Sequence, residues 1–282
     1  MINIKTIIKD IDRLEPIPQA FQKVLTIVND PDSSISELTD VVKYEPSLTA
    51  NLLKICNSSY TGLKVEVDSV HRAVALLGMK KVGELILLAS AAKNFDKPQS
   101  GYDLKAGELW KYSVSSALIA RELAERAETV DAHFVFTAAL LKDMGKLILS
   151  QYVSDSFEKI NMLVTEKKFS FMEAEKEVIG IDHAELGGML MGKWQFGKKM
   201  ITVIKNHHLS DDTCKPDIET KVVYLADILC MMLGIGGGAD GLAYKFYKNV
   251  IEDLKLSEKG IQEILANFGM TLKEVEGLYE II

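Results

Sequence analysis

The sequence predicts an all-α chain of two packed helical subdomains. Three observations carry that reading. Apolar residues recur at helical spacing along almost the whole length. No segment shows convincing period-two alternation, the mark of a half-buried strand. Capping residues, prolines and glycines fall between the periodic stretches rather than inside them.

The elements follow in order. Pro18 to Asn29 places Ala20, Phe21, Val24, Leu25 and Val28 on one face, with Pro18 suited to a first turn. Asp30-Pro31 stops it. Ser34-Ile35-Ser36-Glu37 reads as a capping box that opens a helix through Leu38, Val41 and Val42. Tyr44-Glu45-Pro46 breaks that helix, and Pro46 or Ser47 starts the next, with Leu48, Leu52, Leu53 and Cys56 on one side. Asn57 to Gly62 is a loop by composition. Asp68 or Ser69 caps a helix of Val70, Ala73, Val74 and Leu77, which Gly78 closes, and another helix runs from about Met79 to Asn94.

Phe95 to Lys105 is a polar connection containing Pro and Gly, the best candidate boundary between the two helical halves. Beyond it, helices are expected near 106–127, 131–149, 154–166, 170–178, 182–193, 197–208 and 217–233. Gly234 to Gly241 is a glycine-rich loop. No strand precedes it and no Lys-Ser/Thr follows it, so it does not read as a phosphate cradle. The tail reads as short helices at Tyr244 to Val250, Ser257 to Phe268 and Thr271 to Tyr279.

Composition narrows the class of function. At 282 residues, 48% hydrophobic and 26% charged, the chain has ample core for a globular protein. A net charge of −7 argues against non-specific nucleic-acid binding, which depends on neutralising phosphates. The helix pair from Ser69 to Asn94 has a helix-turn-helix look, but its second helix carries apolar Ile86, Leu87 and Leu88, and nucleic acid is not an expected partner. Cys56, Cys214 and Cys230 are odd in number and far apart, so neither a disulfide framework nor a zinc ribbon is suggested. The N-terminus lacks the apolar core of a signal peptide. Of the longest apolar stretches, Leu85 to Ala92 is too short to span a bilayer and Tyr224 to Ile235 carries Asp227. No membrane span and a cytoplasmic location are therefore expected.

The candidate chemistry lies in the second half. Asp143 sits among apolar Leu140, Leu141, Leu147 and Ile148, and a carboxylate there needs a partner: a metal, a Lys, an Arg or backbone amides. The chain has five histidines. His183 opens a helix, and His207-His208 ends another. Asp227 lies in an apolar helix. His71 and His133 read as surface or packing residues. A single histidine at a helix end is usually a cap or a partner of the helix dipole. The ordered set Asp143, His183, His207, His208 and Asp227 combines imidazole and carboxylate in a way that suits iron, manganese, zinc or magnesium.

A family resemblance joins these pieces. Leu14 to about Leu209 resembles an HDOD domain, the HD-related output domain of bacterial signalling proteins. The matching motifs are Leu14-Glu15-Pro16-Ile17-Pro18, Asn29-Asp30-Pro31 with Ser36-Glu37-Leu38, Tyr44-Glu45-Pro46-Ser47-Leu48, Asn57-Ser58-Ser59-Tyr60 and Ala73-Val74-Ala75-Leu76-Leu77-Gly78. Trp110-Lys111-Tyr112-Ser113, Ala139 to Lys146, Asp182 to Gly187 and His207-His208 complete the series. The resemblance divides residues 14–209 into an N-terminal half (14–95) and an HD-like half (104–209). A C-terminal extension (210–282) then completes the HD-like bundle.

The resemblance also implies what has been lost. Active HD and HD-GYP phosphohydrolases use an early His, a His-Asp pair, later histidines and a final Asp. The early His falls on Tyr112 and the His of the pair on Lys142, while Asp143, His183, His207 or His208, and Asp227 match. The Gly-Tyr-Pro signature of cyclic-di-GMP phosphodiesterases is absent. A protonated lysine offers no lone pair and repels a cation, and a phenol is a poor ligand for most divalent metals. Adjacent helical residues do not face each other, so Lys142 is expected to point elsewhere and Asp143 to meet another base.

The expected function is a non-catalytic regulatory module that binds a signalling protein or a small signal molecule, in a groove between the halves and on the N-terminal helices. The alternative is a metal-dependent phosphohydrolase with a reduced ligand set. No cofactor is expected beyond a weakly bound divalent metal. With no receiver or kinase segment in the sequence, the upstream signal is expected to arrive by non-covalent contact. The Gly-rich loop and tail are compatible with a homodimer, though no residue in them demands it.

Overall fold

The structure is a computed structural model that describes residues 4–11, 19–42, 46–127, 130–209, 216–235, 238–239 and 246–281. The Pro18 helix start, the Leu14-to-Pro18 and Tyr44-Glu45 motif residues, Cys214, most of Gly236 to Gly241 and the start of the Tyr244 helix lie outside them. The described residues contain α-helices, two single-turn 3-10 segments and no strand beyond one isolated bridge, Gln99 to Leu104.

The helices are α1 (Ile4–Ile11), α2 (Gln19–Asn29), α3 (Ile35–Val42), α4 (Pro46–Cys56), α5 (Val70–Leu77), α6 (Met79–Phe95), α7 (Glu108–Ala127) and α8 (Ala132–Leu141). They continue with α9 (Lys146–Asp155), α10 (Phe157–Lys167), α11 (Phe171–Ile179), α12 (His183–Lys193), α13 (Lys198–Lys205), α14 (Ile218–Met232), α15 (Asn249–Asp253) and α16 (Glu258–Ile281).

Local chemistry accounts for the boundaries. The Ser34 box forms as expected: the Glu37 amide donates to Ser34 Oγ at 3.3 Å and the Ser34 amide to Glu37 Oε2 at 3.2 Å. Ser69, rather than Asp68, caps α5, and Gly78 at φ 82° ends it. Ser170 and Glu173 form a second capping box on α11, while Asp131, Asp182 and Asp217 cap α8, α12 and α14.

Several expectations are corrected, and one helix is added. Ile4, Ile7 and Ile8 lie on α1, a helix the sequence reading did not use, with Ile7 fully buried. The helix expected over 131–149 is two helices, because residues 142–145 form tight turns. The Met144 amide donates to Leu141 O (3.1 Å) and the Lys146 amide to Asp143 O (2.9 Å), three-residue bonds in place of the α ladder. The helix expected to end at His208 stops at Lys205, where the Asn206 amide is shared between Thr202 O and Val203 O. In the tail, the helix expected over Tyr244 to Val250 forms instead at Asn249–Asp253, and the two helices expected around 257–268 and 271–279 are one, α16.

The chain divides into two compact units, residues 1–14 with 95–268 and residues 15–94 with 269–282. The smaller unit buries Val24, Leu38, Val42, Leu52, Ile55, Val74, Leu85 and Ile86. In the larger unit α7 packs most extensively on α8 and α14, and α12 on α13. Its core holds Trp110, Phe136, Leu140, Tyr102 and Tyr224. Cys56 and Cys230 are buried free thiols. No helix among the described residues is long and apolar enough to cross a membrane.

Candidate functional site

Six segments of the larger unit converge on one buried polar cluster. Tyr112 comes from α7, Lys142 and Asp143 from the turn after α8, Lys146 from the first residue of α9 and His183 from the first residue of α12. His207 and His208 come from the turn after α13, and Asp227 from the middle of α14. All seven sequence candidates, Tyr112 and Lys142 included, are therefore in this region, and each is buried. His71 is exposed and His133 half-buried.

Gly145 explains how the turn reaches α12. A Cβ there would run into the His183 carbonyl oxygen and crowd the Gly187 amide, so only a glycine lets the two backbones meet. That approach sets Asp143 beside His183.

The acidic half of the cluster is held by lysine. Lys142 Nζ pairs with Asp143 Oδ2 and lies 2.6 Å from Asp227 Oδ1. It also stands over the Tyr112 ring, 4.4 Å from its centroid. The Tyr112 hydroxyl donates to Asp227 Oδ1 at 2.6 Å. Lys146 Nζ lies 2.9 Å from Asp143 Oδ1. The expectation that Lys142 points away from Asp143 is overturned. Lys142 ends α8, so its flexible four-carbon stem is not confined to helix-surface spacing and curls back onto its neighbour. Burial disfavours the Lys142 ammonium, but Asp143 and Asp227 outweigh it and hold the lysine above its ordinary pKa. Burial likewise opposes the Asp143 carboxylate, and Lys142 and Lys146 outweigh it, holding Asp143 well below the ordinary range.

The imidazole half has its own order. The His183 backbone amide and Nδ1 reach Glu175 Oε2 at 3.1 and 2.7 Å, and Tyr102 donates to the other Glu175 oxygen at 2.5 Å. His183 Nε2 is 2.7 Å from His208 Nε2. Burial lowers the His183 pKa, but Glu175 more than offsets it and the net shift is upward. Burial pushes His208 well down, and His207 down to about 3. Between His183 and His208 the proton therefore belongs to His183, and His208 Nε2 accepts. His207 Nδ1 lies 2.7 Å from the Ile204 carbonyl, which can only accept, so Nδ1 carries the His207 proton. His207 Nε2 is then a bare lone pair with no hydrogen-bond partner among the described residues, 4.0 Å from Asp143 Oδ1.

Glu175 was missed by the sequence reading. Its signal was available: it falls on the apolar stripe of α11 with Phe171, Ala174 and Ile179, where a carboxylate needs a buried partner.

The resemblance to HD phosphohydrolases implies a divalent metal, and the two halves answer that differently. Ligand atoms of His183, His207 and His208 all lie within 4.8 Å of one another, and the orphaned His207 Nε2 has the lone pair a cation wants, so this donor set fits a single ion once His183 Nε2 gives up its proton. The acidic half does not fit: an ammonium already stands between Asp143 and Asp227.

The comparisons agree with this architecture. The family model for the HDOD domain matches residues 14–210. The chain belongs to the HDOD domain family. An HDOD domain protein of unknown function from Geobacter sulfurreducens has the same fold, with a TM-score of 0.76, 22% identity and 99% of each chain covered. A crystal structure from Marinobacter aquaeolei VT8, provisionally named a signal transduction protein, gives a TM-score of 0.77 at 22% identity, covering 95% of this chain and 60% of that one. An uncharacterized protein of Treponema pallidum is 22% identical over 204 residues, which make up 70% of this chain and only 38% of that protein.

Proposed function

We propose that this HDOD protein is a non-catalytic bacterial signalling module that binds a partner protein or a small signal molecule. The observation that carries the reading is Lys142 between Asp143 and Asp227. Hydrolysis of a phosphoester by such a frame needs a metal that acidifies water and clamps phosphoryl oxygens. The two carboxylates best suited to such an ion are committed to lysine, and the Tyr112 hydroxyl binds one of them. The provisional signalling name of the Marinobacter aquaeolei structure points the same way. A cytoplasmic location belongs to the same proposal, and a homodimer is compatible with it.

Purified protein assayed on nucleotides, cyclic dinucleotides and generic phosphoesters with Mn, Mg, Fe or Ni is expected to show no turnover. Robust turnover that vanishes in Asp143→Ala would overturn the reading.

A second reading, a phosphohydrolase with a reduced ligand set, draws on one observation, the His183, His207 and His208 cluster. These three residues would hold the ion, which would supply Lewis acidity. Metal content below about one tenth of an equivalent in protein prepared without chelators removes it, because such a centre cannot work empty.

A further inference from the structure

Asp143 faces two ways. Its Oδ2 meets Lys142, and its Oδ1 meets Lys146 Nζ at 2.9 Å and lies 3.8 Å from His183 Nε2 and 4.0 Å from His207 Nε2. The carboxylate is therefore the wall between two compartments, one acidic and one imidazole-lined. In the acidic compartment the Lys142 ammonium contacts both carboxylates and the face of the Tyr112 ring, and the Tyr112 hydroxyl contacts the Asp227 oxygen that Lys142 also reaches. Every one of these side chains is buried.

We propose that Lys142 is a built-in cation. It joins Asp143 to Asp227 as a bridging divalent ion would, and it bars a second metal from the acidic compartment. The inference refines the non-catalytic reading and rests on it. The physical case has three parts. Two buried carboxylates facing one another need positive charge between them. A tethered ammonium supplies it with no dependence on metal supply, because it cannot dissociate from the chain. An ion entering the same space would meet an ammonium within contact distance, and like charges in a buried site repel strongly. The chain should accordingly accept at most one hard divalent ion, on the imidazole side. Removing the lysine charge should open the second position.

The test counts bound Mn2+, an ion that favours carboxylate oxygen. Wild type, Lys142→Met and Lys142→Met/Asp227→Asn are dialysed against Mn2+, and metal per chain is read by elemental analysis. Thermal unfolding is followed with Mn2+ and with a chelator. Lys142→Met is expected to bind one more equivalent than wild type and to gain several degrees of unfolding temperature on adding Mn2+. The double variant is expected to return to the wild-type count. Where Lys142→Met does not fold, Lys142→His replaces it, with the same extra equivalent expected. No additional Mn2+ in whichever variant folds overturns the inference. Phosphoesterase turnover is read on the same wild-type preparation. Turnover there removes the non-catalytic reading whatever the Mn2+ count.

Discussion

Lys142 Nζ lies 2.6 Å from Asp227 Oδ1, which ties the end of α8 to the middle of α14 through two fully buried charges. Such a contact is costly to assemble and costlier to break. Removing one partner leaves an uncompensated charge in the interior, typically at about 3–5 kcal/mol. Lys142→Met strands Asp227, while Asp143 keeps Lys146 at 2.9 Å, so the loss is expected within that range. Lys142→Met/Asp227→Asn should be less destabilised than the sum of the two single variants. Urea unfolding of the four proteins in chelator measures the coupling, and additive losses would show that the pair does not act as a unit.

Tyr112 plays two parts that separate on substitution. Its hydroxyl donates to Asp227, and its ring lies under Lys142. Tyr112→Phe keeps the ring and deletes the donor, with an expected loss of about 1–3 kcal/mol for a hydrogen bond to a charged group. Tyr112→Ala also empties core volume and should cost about 2 kcal/mol or more beyond that. Equal unfolding free energies for the two variants would show that the ring contributes nothing.

Glu175 is the anion that keeps His183 protonated. In Glu175→Gln the His183 pKa is expected to fall, since burial then acts with less opposition. Imidazole chemical shifts followed against pH report this directly. The stability sign follows. The wild-type His183 contribution is complete below the ordinary value of 6.5 and is lost as pH rises through the higher folded value. Wild type and Glu175→Gln should therefore differ most in acid and less as pH rises. A gap that widens above neutrality contradicts the assignment.

The helices were legible because caps and apolar spacing act locally. Ser34-Glu37, Ser69-Gly78 and the Asp182-His183 start all form where the residues placed them. The cluster members were legible by residue type, since a carboxylate or imidazole among apolar neighbours needs a partner. Their pairings were not. Whether Lys142 faces Asp143 depends on α8 ending at Leu141, and that break depends on Gly145 packing against the His183 carbonyl, far along the chain. Glu175 was hidden differently: its partner His183 lies across the turn that Gly180 makes at φ 95°, outside any single helical period.

Acid should unfold this protein early. His207 is held at about 3 and His208 well below 6.5 by burial, so between 6.5 and those values the unfolded chain binds protons that the folded chain refuses. Each histidine then subtracts about 1.4 kcal/mol for every pH unit of descent. His183, shifted upward, is already fully protonated there and adds no compensating slope. Asp143 steepens the loss only below its unfolded value near 3.8. Urea midpoints measured in chelator from pH 7 to pH 4 are expected to fall steadily, and His208→Gln should flatten the slope. A midpoint constant over that range would show that neither imidazole is buried in its neutral form.

Gly145→Ala tests the approach on which the cluster depends. The added methyl would meet the His183 carbonyl oxygen and, within 2.9 Å, the Gly187 amide nitrogen, both of them backbone atoms that no rotamer change can move. Gly145 itself sits at φ −62°, so alanine there carries no dihedral penalty and the effect isolates contact. Overpacking of this kind usually costs about 1–3 kcal/mol, and here relief requires the turn and α12 to separate. Separation moves Asp143 away from His183. The expected signature is therefore double: a loss of stability, and a change in His183 titration, since Asp143 is among the charges that raise it. A destabilised variant with an unchanged His183 titration would place the strain elsewhere in the turn.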